Sequence, residues 1–210
     1  MIACPFVIDQ DFHADIRPVL YSSNRLTEIA IFATGSRLIG HTSSTGTAWF
    51  DQQASQAYGQ TLQSFRKSLQ EVTVFTADVT SALLVTAVAL YMHDMLDREN
   101  SWTAWKHVEA MLAICEAAGP AVFRDPVALW LFRVYQPKFV LHSIFKRVPC
   151  FSDSESWQTI PYEHVDRTTY DDTFDLLIPI GRLLHTADSL FLQVDASSPI
   201  EKKVTSVCRS

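Results

Sequence analysis

The stretch of sequence that decides the fold is TADVTSALLVTAVALYMHDMLD, residues 76–97. Between Ser81 and Met92 its residues are almost all apolar. A run that is apolar on nearly all sides, with Thr76 or Asp78 available as an N-cap, predicts a buried helix. We expect this helix at the centre of the protein and not in a membrane. A bilayer-spanning helix needs about 20 apolar residues, and the run from Ser81 to Met92 is shorter than that.

Apolar residues recur at helical spacing on both sides of this stretch. The further predicted helices span residues 24–39, 47–71, 102–118 and 126–148, and a last helix begins at Asp171 or Asp172. Asn24 is able to cap the first of these helices. Gly119 and Pro120 follow one another in the usual order of a helix end. Asp125 is expected to be an N-cap, and Pro126 the first residue of the helix that follows it. These signals indicate where the helices begin and end.

Two prolines and one irregular stretch interrupt the helical pattern. Pro137 should kink or split the helix that contains it, and Pro179 should bend the last helix. Residues 149–170 are polar and irregular, with Trp157 and Tyr162 as the expected anchors. We therefore predict a long loop before the last helix, and such loops are commonly functional or mobile.

The fold class that these patterns predict is all-α, an irregular bundle of about six or seven helices with a long loop before the last helix. No strand pattern and no internal repeat competes with this prediction. A length of 210 residues fits a single helical domain over residues 1–210, with an ordered core of about 24–194.

The charge and the cysteines exclude several classes of function. The formal net charge is −6 and the basic residues are dispersed, which argues against a nucleic-acid surface. The four cysteines are far apart and predict neither a zinc site nor a redox motif: Cys4, Cys115, Cys150 and Cys208. No signal peptide is supported near the N-terminus, so we expect an intracellular protein.

The middle of the chain resembles the fungal-specific transcription factor domain, the regulatory region of zinc-cluster transcription factors. The resemblance is carried by SALLVTAVALYMHD at 81–94, SWTAWKHVEAML at 101–112, Ala118–Pro120 and Arg124–Pro126. It covers about residues 29–193 and implies a helical regulatory fold. Members of that family normally begin with a six-cysteine zinc cluster and a basic linker. This sequence contains no such segment, so we expect no direct DNA binding and a location in the cytoplasm or the nucleus.

Three residues are candidates for acid–base catalysis: His107, Tyr91 and His93. A histidine in the space between helices can transfer protons, and a tyrosine can stabilise charge that develops on a carbonyl. The alternative is that His107 is hydrogen-bonded in the core, and the resemblance implies that it is a packing feature. His93 and Asp97 lie one turn apart, but two ligands are too few for a metal site, so we predict none. His93, Asp94 and Asp97 end the central helix, where a solvated polar turn is the expected interpretation.

Six aromatic residues are candidates for binding an apolar ligand: Tyr58, Trp102, Trp105, Trp130, Phe132 and Phe139. Bulky rings around helices that contain proline are difficult to pack without leaving space, and ligand sites are typically apolar cavities with a few polar groups. The alternative is an ordinary aromatic core. No glycine-rich phosphate loop and no activated nucleophile can be recognised, so no cofactor is expected.

Two functional hypotheses follow. The first is a stand-alone, cofactor-free enzyme that binds an apolar metabolite and catalyses a cyclisation or isomerisation, as a pericyclase does, in fungal secondary metabolism. The second is a non-enzymatic module for transcriptional regulation or metabolite sensing that lacks its own DNA-binding domain. A homodimer is compatible with both hypotheses, and the sequence favours the first by a small margin.

Overall fold

The computed structural model describes residues 24–43, 46–97 and 101–197, and the side chains of 101, 102 and 193–197 lie outside this description. Cys4 and Cys208, two of the cysteines discussed above, also lie outside the described residues. Cys115 and Cys150 are both buried.

The described residues form α-helices joined by short connections. They are α1 Arg25–Thr42, α2 Thr47–Glu71, α3 Ala77–Leu96, α4 Ser101–Ala118, α5 Pro126–Lys146, α6 Glu155–Thr159, α7 Thr169–Leu177 and α8 Pro179–Ser197. All except the short α6 have nine residues or more, and the described ranges contain no strand. The prediction of an all-α bundle of six or seven helices is therefore confirmed.

The central helix of the first part of the chain is α3, which packs against α1 and α4. Nearly every residue from Thr80 to Asp94 is buried, as the apolar run predicts. By length and composition α3 could also cross a membrane, but 72% of the relevant window is buried inside the protein. This extent of burial is typical of the core helix of a globular protein.

Small residues allow α1 to approach α3 closely. Ala30 and Ala33 are each only 1% exposed. At this contact the Thr34 hydroxyl donates to the carbonyl oxygen of Ala89 across 2.7 Å. Because no large side chain separates the helices, threonine hydroxyls can reach the backbone of the neighbouring helix.

The predicted helix caps are present. The Asn24 side chain accepts a hydrogen bond from the backbone N–H of Leu26, and Thr76 accepts one from Val79. At the start of α5, Asp125 Oδ1 accepts bonds from the N–H groups of two residues in the first turn. Gly119, which follows α4, has a φ of 73°, a conformation that glycine adopts without steric cost.

The segment before the last helix is more ordered than the sequence predicts. Residues 149–170 contain two 3₁₀ turns and α6, and the expected anchors Trp157 and Tyr162 are buried. The next helix, α7, begins at Thr169, two residues before Asp171, because Thr168 and Asp171 form a reciprocal capping box. The loop is thus shorter than predicted.

The two internal prolines have different effects. Pro137 lies inside α5 and does not split it, since α5 is continuous from Pro126 to Lys146. Pro179 starts a new helix, so the predicted last helix is divided into α7 and α8 at Ile178. Proline, which lacks a backbone N–H, is tolerated most easily in the first turn of a helix, and Pro179 lies there.

The chain divides into two compact units. The first consists of the described residues up to Tyr135 together with 159–166, and the second of 136–158 together with those from Arg167 onward. Two such units can belong to one domain, so the single domain over residues 1–210 stays a prediction. In the second unit, α8 packs on the C-terminal end of α5 at Gly181, which is buried.

We predict that Gly181→Ala destabilises the second unit by about 1–3 kcal/mol, because the added methyl group overlaps Ser143. A Cβ atom at Gly181 would meet Ser143 Oγ and would lie 2.6 Å from the backbone oxygen of Val148. Urea unfolding followed by circular dichroism measures the change. Gly59→Ala is the control, because no atom lies within 4 Å of its added Cβ. An unchanged midpoint for Gly181→Ala would contradict the close packing of α5 and α8.

Candidate functional site

A buried carboxylate joins three helices of the first unit. Asp94, near the end of α3, is 4% exposed. Its partners come from α2, from α3 itself and from α4, so a single acidic side chain connects three elements that are separate in the sequence. A carboxylate in such a position must accept several hydrogen bonds, because burying an unpaired charge is very unfavourable.

Three donors converge on one oxygen of this carboxylate. Asp94 Oδ2 accepts from the hydroxyl of Thr103 at 2.8 Å and from the hydroxyl of Tyr58 at 3.1 Å. The Nε2 atom of His107 lies at 3.1 Å from the same oxygen. A fourth contact joins the other oxygen, Oδ1, to Nδ1 of His93 at 3.4 Å. We name Tyr58, His93, Asp94, Thr103 and His107 the Asp94 cluster.

The electrostatics of the Asp94 cluster keep the carboxylate ionised. Burial raises the pKa of Asp94, but the hydrogen bonds from His107, His93, Thr103 and Tyr58 outweigh it and hold the pKa well below its ordinary value. For the phenol of Tyr58 the direction is opposite: burial and the bond to Asp94 raise its pKa well above 10. Asp94 is therefore the negative group of the cluster, and Tyr58 stays a neutral donor.

One nitrogen of the cluster has no hydrogen-bond partner among the described residues. His93 is 7% exposed, and its Nε2 atom is buried without a hydrogen bond to any residue that the structure describes. The ring of Tyr58 stacks on the imidazole of His93, with centroids 4.2 Å apart and an interplanar angle of 20°. The stacking and the contact with Asp94 fix the plane of the imidazole, which determines where Nε2 points.

The carboxylate also determines which ring nitrogens carry hydrogen. An ionised Asp94 can only accept, so in a neutral imidazole the nitrogen that faces it must be the N–H donor. This assigns hydrogen to Nδ1 of His93 and leaves a lone pair on Nε2. In His107 the assignment is reversed, with the hydrogen on Nε2. An Asp-oriented imidazole with a free lone pair is the arrangement that general bases use.

The structure brings three predicted site residues together and leaves the others elsewhere. Tyr58, His93 and His107 meet in the Asp94 cluster. Tyr91 is buried in α3, and its electrostatic partner is Tyr135, whose pKa is raised mainly by burial and less by Tyr91. The side chain of Trp102 lies outside the described residues.

The remaining aromatic candidates belong to packing clusters or are half-buried. Phe132 packs on Phe123 in the first unit, with centroids 5.5 Å apart. Phe139 is in the second unit, where its ring lies 6.0 Å from that of Phe151. Trp105 and Trp130 are half-buried.

Two shallow depressions open on the surface of the first unit. The larger, about 310 Å³, lies between α1 and α2 and includes Glu28, Phe32 and Gln56 in its lining. The smaller, about 270 Å³, lies near the start of α1 and the end of α2. None of the eight predicted site residues whose side chains are described lines either depression. The aromatic-lined cavity therefore stays a prediction.

Two residues that hold the cluster together, Asp94 and Thr103, are not among the predicted site residues. Asp94 is predicted to be part of a solvated polar turn, and Thr103 is not predicted as a hydrogen-bond donor. A signal for the arrangement was present, because Thr103 and His107 are four residues apart and share one face of α4. The partner that this polar pair requires is Asp94, at the end of the preceding helix.

The charge on Asp94 should affect stability in a pH-dependent way. A carboxylate whose pKa is lowered by folding stabilises the protein above its unfolded-state pKa, and this stabilisation is lost as the pH falls. We expect Asp94→Asn to lower the free energy of unfolding by about 1.5–3 kcal/mol at neutral pH. The loss should be smaller at a pH below 3.8, which is the ordinary pKa of an aspartic acid side chain.

Urea unfolding of both proteins at pH 7 and at pH 3 measures this difference. Asp78→Asn, an exposed change in the first turn of the same helix, is the control for loss of a charge from α3. A stability difference between wild type and Asp94→Asn that is the same at both pH values would contradict an ionised Asp94 in the folded protein.

Comparison with known proteins identifies no family for this arrangement. The chain matches no protein-family model, no curated protein and no solved structure. The resemblance to the fungal-specific transcription factor domain therefore stays a prediction. The function must be argued from the Asp94 cluster and from the surfaces of the two units.

Proposed function

We propose that this chain is a cofactor-independent enzyme that moves a proton within an apolar small molecule, in an isomerisation or a cyclisation. The observation that carries the proposal is the unpartnered Nε2 atom of His93, on an imidazole whose other nitrogen faces the carboxylate of Asp94. Buried polar atoms are almost always hydrogen-bonded, so an orphan nitrogen in an otherwise satisfied cluster calls for a partner. A substrate is one such partner.

The chemistry requires only the residues of the cluster. Nε2 of His93 takes a proton from a carbon next to a carbonyl group, and the electron pair of the broken C–H bond moves into the enolate. The negative charge of Asp94 stabilises the imidazolium that forms. The same Nε2–H then returns the proton to another atom of the substrate, so the composition of the substrate is unchanged. No oxidant, reductant or cofactor enters this sequence.

The other cluster residues hold the base in position. Thr103 and His107 fix the carboxylate of Asp94 from α4, and the ring of Tyr58 restricts rotation of the His93 imidazole. A base that is already oriented loses little entropy at the moment of reaction, which is a large part of enzymatic rate enhancement. We assign the base to His93 and positioning roles to Tyr58, Asp94, Thr103 and His107.

The proposal requires that small molecules reach His93. Diethyl pyrocarbonate acylates unprotonated imidazole nitrogens, so we expect it to modify His93 in the folded protein. Peptide mass spectrometry measures the rate at each histidine, with the exposed His41 and His164 as internal references. No modification of His93 during complete modification of both references would contradict the proposal.

The catalytic test uses His93→Asn. Asparagine retains a donor near the position of Nδ1, which faces Asp94, but has no counterpart of Nε2. With apolar β,γ-unsaturated cyclic ketones as probes, the increase in ultraviolet absorbance on conjugation reports proton transfer. We expect activity in the wild type, background rates in His93→Asn, and full activity in the exposed control His41→Asn. Background rates with the wild type across the panel would count against catalysis.

A second candidate is a non-enzymatic regulatory or metabolite-sensing module. The observation that favours it is the burial of His93, Asp94 and His107, which suits a group of residues that connects α2, α3 and α4. In this case the reagent leaves His93 unmodified, and Asp94→Asn lowers stability without any effect on a reaction. The histidine modification experiment therefore discriminates between the two functions.

A further inference from the structure

The outer face of the last two helices carries leucines where a solvated face would be polar. Leu176, Leu183 and Leu190 follow one another at intervals of seven residues and are 79%, 60% and 57% exposed. The inner face of the same helices is marked by Ile178 and Gly181, which are buried. Three large aliphatic side chains in one line are not explained by the core of the second unit.

The spacing of this line is that of a coiled-coil seam. With the three leucines at position d of a heptad, Ile180 and Ala187 occupy position a and are half-buried. Coiled coils repeat apolar residues in this alternation of three and four, which averages about 3.5 residues. Leucine at d with a β-branched residue such as Ile180 at a is the combination that favours two parallel strands.

Pro179 does not remove Leu176 from the seam. Ile178, between α7 and α8, keeps helical dihedral angles of −52° and −44°, and its N–H donates to Phe174 at 2.8 Å. The backbone at Ile178 is therefore helical, and α7 and α8 end and begin on either side of this single residue.

The positions that flank the seam are compatible with a second copy of the same helices as its partner. In a parallel pair, residues at e of one helix face residues at g of the other, and like charges there prevent self-association. Of the described e and g positions of α7 and α8 only Asp172, at g, is charged, and in a parallel pair it faces the uncharged Leu177 at e of the other helix. The remaining e and g positions are Tyr170, Leu177, Pro179, Leu184, Thr186 and Phe191. Two identical helices can therefore lie side by side in register without repulsion.

We propose that α7 and α8 form a parallel, two-stranded seam with the same helices of a second copy of this chain. The d leucines then face their own counterparts across a two-fold axis, and both copies lose the same exposed apolar surface. This interface is independent of the Asp94 cluster, so the proposal does not depend on the enzymatic function.

Sedimentation equilibrium over a range of concentrations tests the proposal. We expect the wild type to approach the mass of two chains as its concentration rises, and Leu183→Glu to stay at the mass of one chain. Leu192→Glu is the matched control, because Leu192 is 71% exposed and lies off the seam at position f. Circular dichroism verifies that each variant keeps its helices.

Mixing two variants tests the parallel register. Leu183→Glu and Leu183→Lys should each be monomeric, while their mixture should associate, since opposite charges then meet at the facing d position. A wild type that is monomeric at all accessible concentrations overturns the proposal. The proposal is also overturned if the wild type dimerises but Leu183→Glu weakens the dimer no more than Leu192→Glu does. Failure of the mixture to associate would exclude the parallel register.

Discussion

Placing the carboxylate of Asp94 in the interior is unfavourable unless several donors surround it, and this requirement organises the first unit. The donors are Tyr58 on α2, His93 on α3 itself, and Thr103 and His107 on α4. Each can reach Asp94 only if its helix lies at the correct height against α3. Apolar contacts between the same helices could be satisfied by several nearly equivalent arrangements. The directional bonds to one carboxylate favour a single register.

The extent to which the sequence predicts this structure depends on the range of the interaction. Caps such as Asn24 and Thr76, the stop at Gly119 and the apolar run of α3 act within one or two turns, and the sequence analysis predicts each of them correctly. The residues of the Asp94 cluster lie up to 49 positions apart, as between Tyr58 and His107. No local pattern shows that distant polar residues will share one carboxylate, so Asp94 was interpreted as solvated.

The errors of prediction near the end of the chain have a related cause. A polar stretch such as residues 149–170 lacks periodicity, and its short helices are stabilised by buried anchors such as Trp157. Pro179 was expected to bend one helix, but the same residue serves equally well as the first residue of a new one. The seven-residue spacing of the leucines was present in the sequence. The spacing alone does not distinguish leucines that pack in the core from leucines that are available to a second helix. Their exposure in the structure makes this distinction.

The two units thus leave different kinds of group without a partner, and this difference separates their roles. In the Asp94 cluster of the first unit, the atom without a hydrogen-bond partner among the described residues is Nε2 of His93, which a small molecule could satisfy with a single hydrogen bond or proton. In the second unit it is a line of exposed leucines, which only another apolar surface of similar length can cover. A small ligand cannot satisfy the second requirement, and a second protein helix cannot reach a nitrogen buried in the first. The proposed chemistry at the Asp94 cluster and the proposed association through α7 and α8 are therefore independent of one another, and either can be present without the other.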